Sequence, residues 1–143
     1  MILVDTWAWL ALAVKGDQFH AIAKAQHQRF RKTNQRYVTS DFILSEVISR
    51  LYRTTSAARA EGYIRALLSK VDAGDYLLVH VSPQQFRRAW QMRQKYHDKP
   101  DISFVDFTSM VVIQDLGIVD VFTGDDHFRQ INLGFQLHPS PGH

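Results

Sequence analysis

Asp101-Ile-Ser103-Phe-Val-Asp106-Phe-Thr-Ser-Met-Val-Val-Ile-Gln-Asp115-Leu-Gly117-Ile-Val-Asp-Val-Phe122-Thr-Gly-Asp125-Asp126 is the stretch around which the rest of the chain is read. From Ser103 to Leu116 it predicts one helix: a serine at the N-cap, an acid three residues on and a glycine just past the end are start and stop signals. Phe104, Val105, Phe107, Met110, Val111, Val112, Ile113 and Leu116 fall on every side of the helical wheel, so the helix is expected to be buried. At 100° per residue Asp106 points between Met110 and Ile113, at the margin of an apolar core, where an ionised carboxylate needs a partner. Beyond Gly117 a β-prone run, Val119 to Phe122, leads into Thr123-Gly-Asp125-Asp126 and places two more acids where a strand ends. No lysine follows Lys99 and Arg129 is the only arginine in this part of the chain, so a divalent cation is a better counter-charge here than local salt bridges.

Working outward, Ile2-Leu-Val-Asp5 reads as a buried strand ending on Asp5, followed by a helix over Thr6 to Ala13. Gln18 to Thr33 is an amphipathic helix with Asp17 as its expected cap, and Arg36 to Thr39 a second strand. A helix opening at Ser40-Asp41 carries Glu46 beside its apolar stripe, and a second helix, Ala57 to Val71, folds back on it as a hairpin. Tyr76 to Val81 is a third strand, and Ser82-Pro83-Gln84-Gln85 opens a capped helix running to about Tyr96. Phe135-Gln-Leu137 is a candidate fifth strand, and 139–143 a loose tail. Apolar strands without strict alternation, separated by helices, argue for an α/β fold with a mostly parallel sheet covered on both faces.

The 143 residues fit one domain, 1–143, with apolar content ample for one core. No apolar run approaches the roughly 20 residues of a membrane span, and Met1-Ile-Leu-Val-Asp5 lacks the features of a signal peptide. A soluble, cytoplasmic protein is expected. The absence of cysteine excludes disulfides, thiolate metal sites and a cysteine nucleophile. A formal charge of +3 and a pI near 9.3 bias the chain mildly toward polyanions. Lys24, Arg29, Arg31, Lys32 and Arg36 form one basic block, and Arg87, Arg88, Arg93, Lys95 and Lys99 another. Solvated helix faces are the plain reading of such blocks.

In a parallel sheet the carboxyl ends of the strands form the ligand-binding edge. Asp5 and Asp125 lie at such ends, and Asp106 and Glu46, in early turns of their helices, can face the same edge, so one cluster of four carboxylates is expected. Each acid alone has an ordinary explanation: a cap for Asp5, a capping box with Ser103 for Asp106, a turn for Asp125, and pairing with Arg50 for Glu46. Jointly these weaken, because carboxylates ~4 Å apart repel by about 4 kcal/mol at an effective dielectric of 20. Convergence implies bound cations or raised pKa values. Oxygen ligands alone point to a hard ion, Mg²⁺ or Mn²⁺. No phosphate loop, nucleophile elbow or zinc helix motif is present. The histidines at 20, 27, 80, 97, 127, 138 and 143 show no metal-ligand spacing, and only His127, after the paired aspartates, stands out.

Asp5-Thr6 after the first strand, Glu46 in Ser-Asp-Phe-Ile-Leu-Ser-Glu, Ser103-Phe-Val-Asp106 and Thr123-Gly-Asp125-Asp126-His-Phe128 together resemble the four acidic motifs of the PIN-domain nucleases, in particular the VapC-type toxins of type II toxin-antitoxin systems. The resemblance spans essentially the whole chain. It implies a three-layer fold with a central parallel sheet of about five short strands, and an endoribonuclease dependent on Mg²⁺ or Mn²⁺. It also implies a homodimer and inhibition by a cognate antitoxin. By carry-over, Asp5 and Asp106 are the foremost metal ligands, with Glu46 and Asp125 completing the site directly or through water, and Asp126 an open alternative to Asp125. Thr6, Ser103 and Thr123 are the supporting hydroxyls. Asp101 is a peripheral acid. Lys15, Arg50, Arg53, Arg87, Arg88 and Lys99 are candidates for holding RNA around the acidic centre. The hairpin from Phe42 to Leu68 carries apolar surface that serves the core, an antitoxin helix or a dimer contact. The alternatives are a PIN nuclease of RNA processing or turnover without an antitoxin, and a catalytically silent PIN binding module. A phosphate-accepting domain is disfavoured, since it needs Asp-x-Asp after the first strand or a lysine after the last.

Overall fold

The structure is a computed structural model and describes residues 1–140; the part of the expected loose tail from residue 141 onward lies outside the described residues. Its elements in chain order are β1 (Ile2–Val4), α1 (Thr6–Ala13), α2 (His20–Lys32), β2 (Tyr37–Ser40), α3 (Asp41–Thr54), α4 (Ala57–Asp72), β3 (Tyr76–Val79), α5 (Pro83–Lys95), α6 (Phe104–Leu116), β4 (Asp120–Phe122), α7 (His127–Gln130) and β5 (Gln136–His138). The five strands form one sheet in the order β3-β2-β1-β4-β5, and every neighbouring pair is parallel. Because β1 lies in the middle, with Leu3 paired to both Val38 and Val121, its end and that of β4 stand side by side. That adjacency brings Asp5 next to Thr123 although 118 residues separate them.

Helix α6 has the start and stop that its sequence specifies. Ser103 Oγ accepts from the Asp106 amide at 3.1 Å and Asp106 Oδ2 accepts from the Ser103 amide at 3.1 Å, which is a complete capping box. Gly117 ends the helix at φ 68, a left-handed conformation that glycine adopts without penalty. Phe107, Met110, Val111, Val112 and Ile113 are fully buried, as the all-round apolar wheel requires. Helix α5 packs along α6, and Arg93 secures the connection between them. Its guanidinium lies 4.8 Å from the centre of the Phe107 ring and donates to the carbonyls of Tyr96 (2.6 Å), Lys99 (2.8 Å) and Ile102. On another side of the sheet, Trp9 donates to Thr39 Oγ1 at 3.2 Å and Tyr63 donates to the Trp9 carbonyl at 3.1 Å, tying α1, β2 and α4 together.

The structure departs from the sequence reading at some boundaries. Helix α2 begins at His20, later than Gln18, because the Asp17 carboxylate accepts from the Phe19 amide at 2.7 Å and so closes a turn before the helix, without capping it. The fifth strand begins at Gln136 and extends to His138, not Phe135 to Leu137. The short α7 was not anticipated. No helix among the described residues is long and apolar enough to cross a membrane.

Candidate functional site

The parallel sheet presents the ends of β1 and β4 together, and the first turn of α6 approaches them through Asp106. Asp5 and Asp106 are both buried, at 2% and 6% exposure, which for carboxylates demands compensation. Asp5 occupies the N-cap position of α1, yet its side chain makes no capping hydrogen bond. The ordinary explanation for this acid therefore fails. Its Oδ2 accepts instead from Thr123 Oγ1 at 3.0 Å, and the same Thr123 oxygen accepts from the Asp125 amide at 3.0 Å. One hydroxyl thus orients Asp5 and fixes the loop that carries Asp125.

Burial pushes the Asp5 carboxyl up from its ordinary 3.8 to about 8, and the charges of Asp106 and Asp125 push it the same way, against the Thr6 amide and the Thr123 hydroxyl. Burial also raises Asp106, opposed by the Ser103 amide and by His127. Both acids are thus held where, without a cation, the charged form is disfavoured. His127 Nδ1 stands 2.8 Å from Asp106 Oδ2, the same oxygen that serves the capping box. With Asp106 ionised, Nδ1 carries the hydrogen and donates it. Among the described residues Asp106 Oδ1 accepts no hydrogen bond, which leaves that oxygen available to a ligand.

The doublet Asp125-Asp126 divides by partner. Asp126 is ion-paired with Arg129, whose Nε lies 2.8 Å from Asp126 Oδ1 and whose Nη2 donates to the same oxygen. Asp125 is the one whose charge acts on Asp5. Glu46 is not among the charges that shift Asp5 or Asp106. It is half-buried on α3, makes no ion pair with Arg50 or any other described residue, and lines a cavity of about 490 Å³ with Phe42, Ser45 and Val105. Val105 neighbours Asp106, so Glu46 looks onto the first turn of α6 from its outer side. Among the described residues no three His, Asp or Glu side chains surround one point at metal-binding distance.

The donor set fits a hard cation. It is composed of oxygens, and Mg²⁺ ordinarily uses one or two carboxylates and keeps several waters, so a closed protein cage is not required. Thr6 Oγ1, beside Asp5, is buried without a hydrogen-bond partner. Such an orphaned hydroxyl is explained by a ligand or water that it serves. Ser103, by contrast, is fully engaged in the capping box.

The basic candidates scatter. Arg88 Nη1 donates to both Asp115 oxygens, at 2.7 and 2.8 Å, and these bonds, together with one from Gln85, hold Asp115 below its usual range. Asp115 lies nine residues beyond Asp106 on α6, about 14 Å along the helix. Arg88 is therefore spent at the far end. Lys99 lies 3.7 Å from Asp98. Lys15, Arg50, Arg53 and Arg87 are exposed and form no ion pair among the described residues, and Asp101 is exposed as well. Sequence reasoning flagged His127 by its position but did not assign it to Asp106. It missed the contact of Trp7 with Gly124, where a Cβ built on Gly124 would fall 2.2 Å from the indole. Only a glycine directly before the acid doublet hinted at so close an approach.

No protein-family model matches the sequence. Among curated proteins the chain is 31% identical over 128 residues, 90% of its own length and 92% of the relative's, to the 23S rRNA-specific endonuclease VapC20 of two Mycobacterium tuberculosis strains. The crystal structure of Mycobacterium tuberculosis VapC20, described as a Sarcin-Ricin loop cleaving toxin, superposes with a TM-score of 0.77 at 29% identity, covering 92% of this chain and 95% of that one. VapBC2 from Rickettsia felis, bound to a DNA fragment from its promoter, gives 0.69 at 14% identity, covering 96% and 97%. DNA-bound VapBC from Salmonella typhimurium gives 0.68 at 16%, with the same coverage, and at such identities these two speak for the fold alone. With a relative this similar over nearly its whole length, and with the five-stranded parallel sheet in place, the chain belongs to the VapC-type family of PIN-domain proteins.

Proposed function

We propose that this protein is the endoribonuclease toxin of a toxin-antitoxin pair, hydrolysing RNA in the cytoplasm with Mg²⁺ or Mn²⁺ as cofactor. The observation that carries this reading is the convergence of Asp5, Asp106 and Asp125, in which burial and mutual repulsion oppose ionisation of Asp5. A divalent cation relieves that repulsion. When bound, it supplies polarisation of a phosphate oxygen and a lowered pKa for a water molecule.

Asp5 and Asp106 hold the cation. Asp125 supports them across Thr123, and Glu46 approaches from the α3 side through solvent. The Thr123 hydroxyl keeps Asp5 oriented, and His127 keeps Asp106 oriented from the side opposite its free oxygen. Thr6 Oγ1 is free to hydrogen-bond a water held beside Asp5. No protein nucleophile is needed. Because the centre is acidic, RNA is held by cations around it, of which Lys15, Arg50, Arg53 and Arg87 are free to act.

Two apolar surfaces suit protein partners. Between α3 and α4, Tyr52 (50% exposed), Ile48 and Leu68 line an open groove of about 430 Å³ that fits an amphipathic antitoxin helix. On α5, Phe86 packs edge-to-face on Phe104 and lines an open pocket with the 52% exposed Trp90, an aromatic surface that suits a second copy of the chain. The test of the enzymatic reading is cleavage of a panel of RNAs, including a ribosomal hairpin loop, by purified protein with Mg²⁺, Mn²⁺ or EDTA. Cleavage with either metal and none with EDTA is expected. Cleavage that persists in EDTA, or no cleavage of any RNA, overturns it, and the latter brings the binding-module alternative forward.

A further inference from the structure

Beside the carboxylates lies a second feature that the hydrolytic chemistry does not use. A cavity of about 290 Å³ opens between α1, the start of α2 and the loop after β4, walled by Trp7, Phe19, Ile22 and Leu137 and edged by Asp126 and Arg129. Thr123, Gly124 and Asp125 form its inner boundary, so whatever fills it stands next to the cation site. The wall is built deliberately. Gly124 lacks the Cβ that would strike the Trp7 indole at 2.2 Å, and the Trp7 and Phe19 rings pack at 5.4 Å between centroids. Phe19 and Ile22 nevertheless remain 38% and 43% exposed, leaving apolar surface that no other part of the described chain covers.

We propose that this cavity is a subsite for one purine base of the RNA, adjacent to the phosphate that is cut; the inference rests on the endoribonuclease reading. Proteins that read RNA commonly splay single bases out of the strand and pack them on aromatic side chains while reading their edges. The volume equals roughly ten water molecules, room for one purine. A neutral base, unlike a phosphate, is not repelled by the acids at the mouth. Its edge meets a matched pair: Asp126 Oδ1 is taken by Arg129, while Oδ2 accepts no bond from any described residue and can receive an exocyclic amino group. The Arg129 guanidinium beside it can donate to a ring nitrogen or carbonyl. A peptide side chain fills the apolar wall equally well but has no use for that donor and acceptor pair so close to a phosphate site.

The test is the cleavage profile on an RNA pool randomised around one scissile bond, comparing wild type with Ile22→Trp, which fills the cavity, and Phe19→Ala, which removes part of its wall. Both positions are on the surface, and thermal melting checks that both variants fold. The wild type is expected to favour purines at one position flanking the cut. Both variants are expected to flatten that preference, with loss on the order of tenfold on the favoured sequence and little change on the others. In parallel, an Asp5→Asn protein that binds without cutting should change the fluorescence of 2-aminopurine placed at that position, and the further Ile22→Trp change should abolish the response. Wild-type cutting without a purine preference, or variants that retain it, overturns the subsite and leaves the nuclease standing; the cavity then serves another occupant, such as an antitoxin side chain. A wild type that neither binds nor cuts any RNA overturns both.

Discussion

At Asp5 the cost of the site is concentrated in one side chain. Its carboxyl titrates well above its unfolded value, so between about pH 4 and pH 8 the metal-free folded state binds a proton that the unfolded chain has released. Stability in EDTA is therefore expected to fall as pH rises through that window, and Mg²⁺, which binds the ionised form, should raise the melting temperature more at pH 8 than at pH 5. Asp5→Asn retains an oxygen for the Thr123 hydroxyl and removes the charge. It should be more stable than wild type in EDTA at pH 8, by on the order of a few kcal/mol, with the gap closing as the pH falls to about 4. A wild type whose metal-free stability climbs toward pH 8 contradicts this assignment. His127 acts on the other acid: His127→Ala leaves Asp106 without its side-chain partner, and a loss of about 1 kcal/mol together with at least tenfold slower cleavage is expected from melting and rate measurements.

Among the elements, α6 was the most legible in sequence, because its cap, its stop and its apolar wheel are all local signals. Ser103, Asp106 and Gly117 are found in the predicted roles. Local signals also placed Asp5 and Asp125 at strand ends, but which of the doublet faces Asp5 depends on Arg129 reaching back to Asp126, and this follows from the turn of α7, which the sequence reading lacked. Glu46 shows the opposite case. Its position on α3 was read correctly, yet a helical position says little about the distance across to α6: the charges of Asp106 and Asp125 act on Asp5, while Glu46 lines a cavity with Val105. Partners far apart in sequence, such as Arg88 with Asp115, were likewise invisible, which is why Arg88 was counted among the RNA candidates. Two glycines separate strain from function. Gly117→Ala forces a left-handed alanine and should cost about 1 kcal/mol with cleavage intact. Gly124→Ala must displace Trp7, costing about 1–3 kcal/mol, and should also slow cleavage, since the same loop carries Asp125.

For the whole molecule, the mild net positive charge and the exposed basic side chains imply that RNA binding should weaken steeply with salt, and cleavage is expected to require the metal. Arg87→Ala is expected to lower RNA affinity and flatten its salt dependence, whereas Arg88→Ala, whose guanidinium is held by Asp115, should leave both unchanged; filter binding at several salt concentrations distinguishes them. The α3–α4 groove shares no lining residue with Asp5, Asp106 or Asp125, so Tyr52→Glu is expected to weaken binding of the proposed antitoxin without slowing cleavage. The claim on which the rest depends is that Asp5 and Asp106 together hold a catalytic cation at the sheet edge. Its most direct measurement is the single-turnover rate of RNA cleavage against Mg²⁺ concentration for wild type, Asp5→Asn and Asp106→Asn prepared identically. Saturable, Mg²⁺-dependent cleavage by the wild type and a loss of at least a hundredfold in each variant, with their folds intact by melting, is the expected result. Variants that cut at the wild-type rate, or a wild type indifferent to Mg²⁺, would contradict the account.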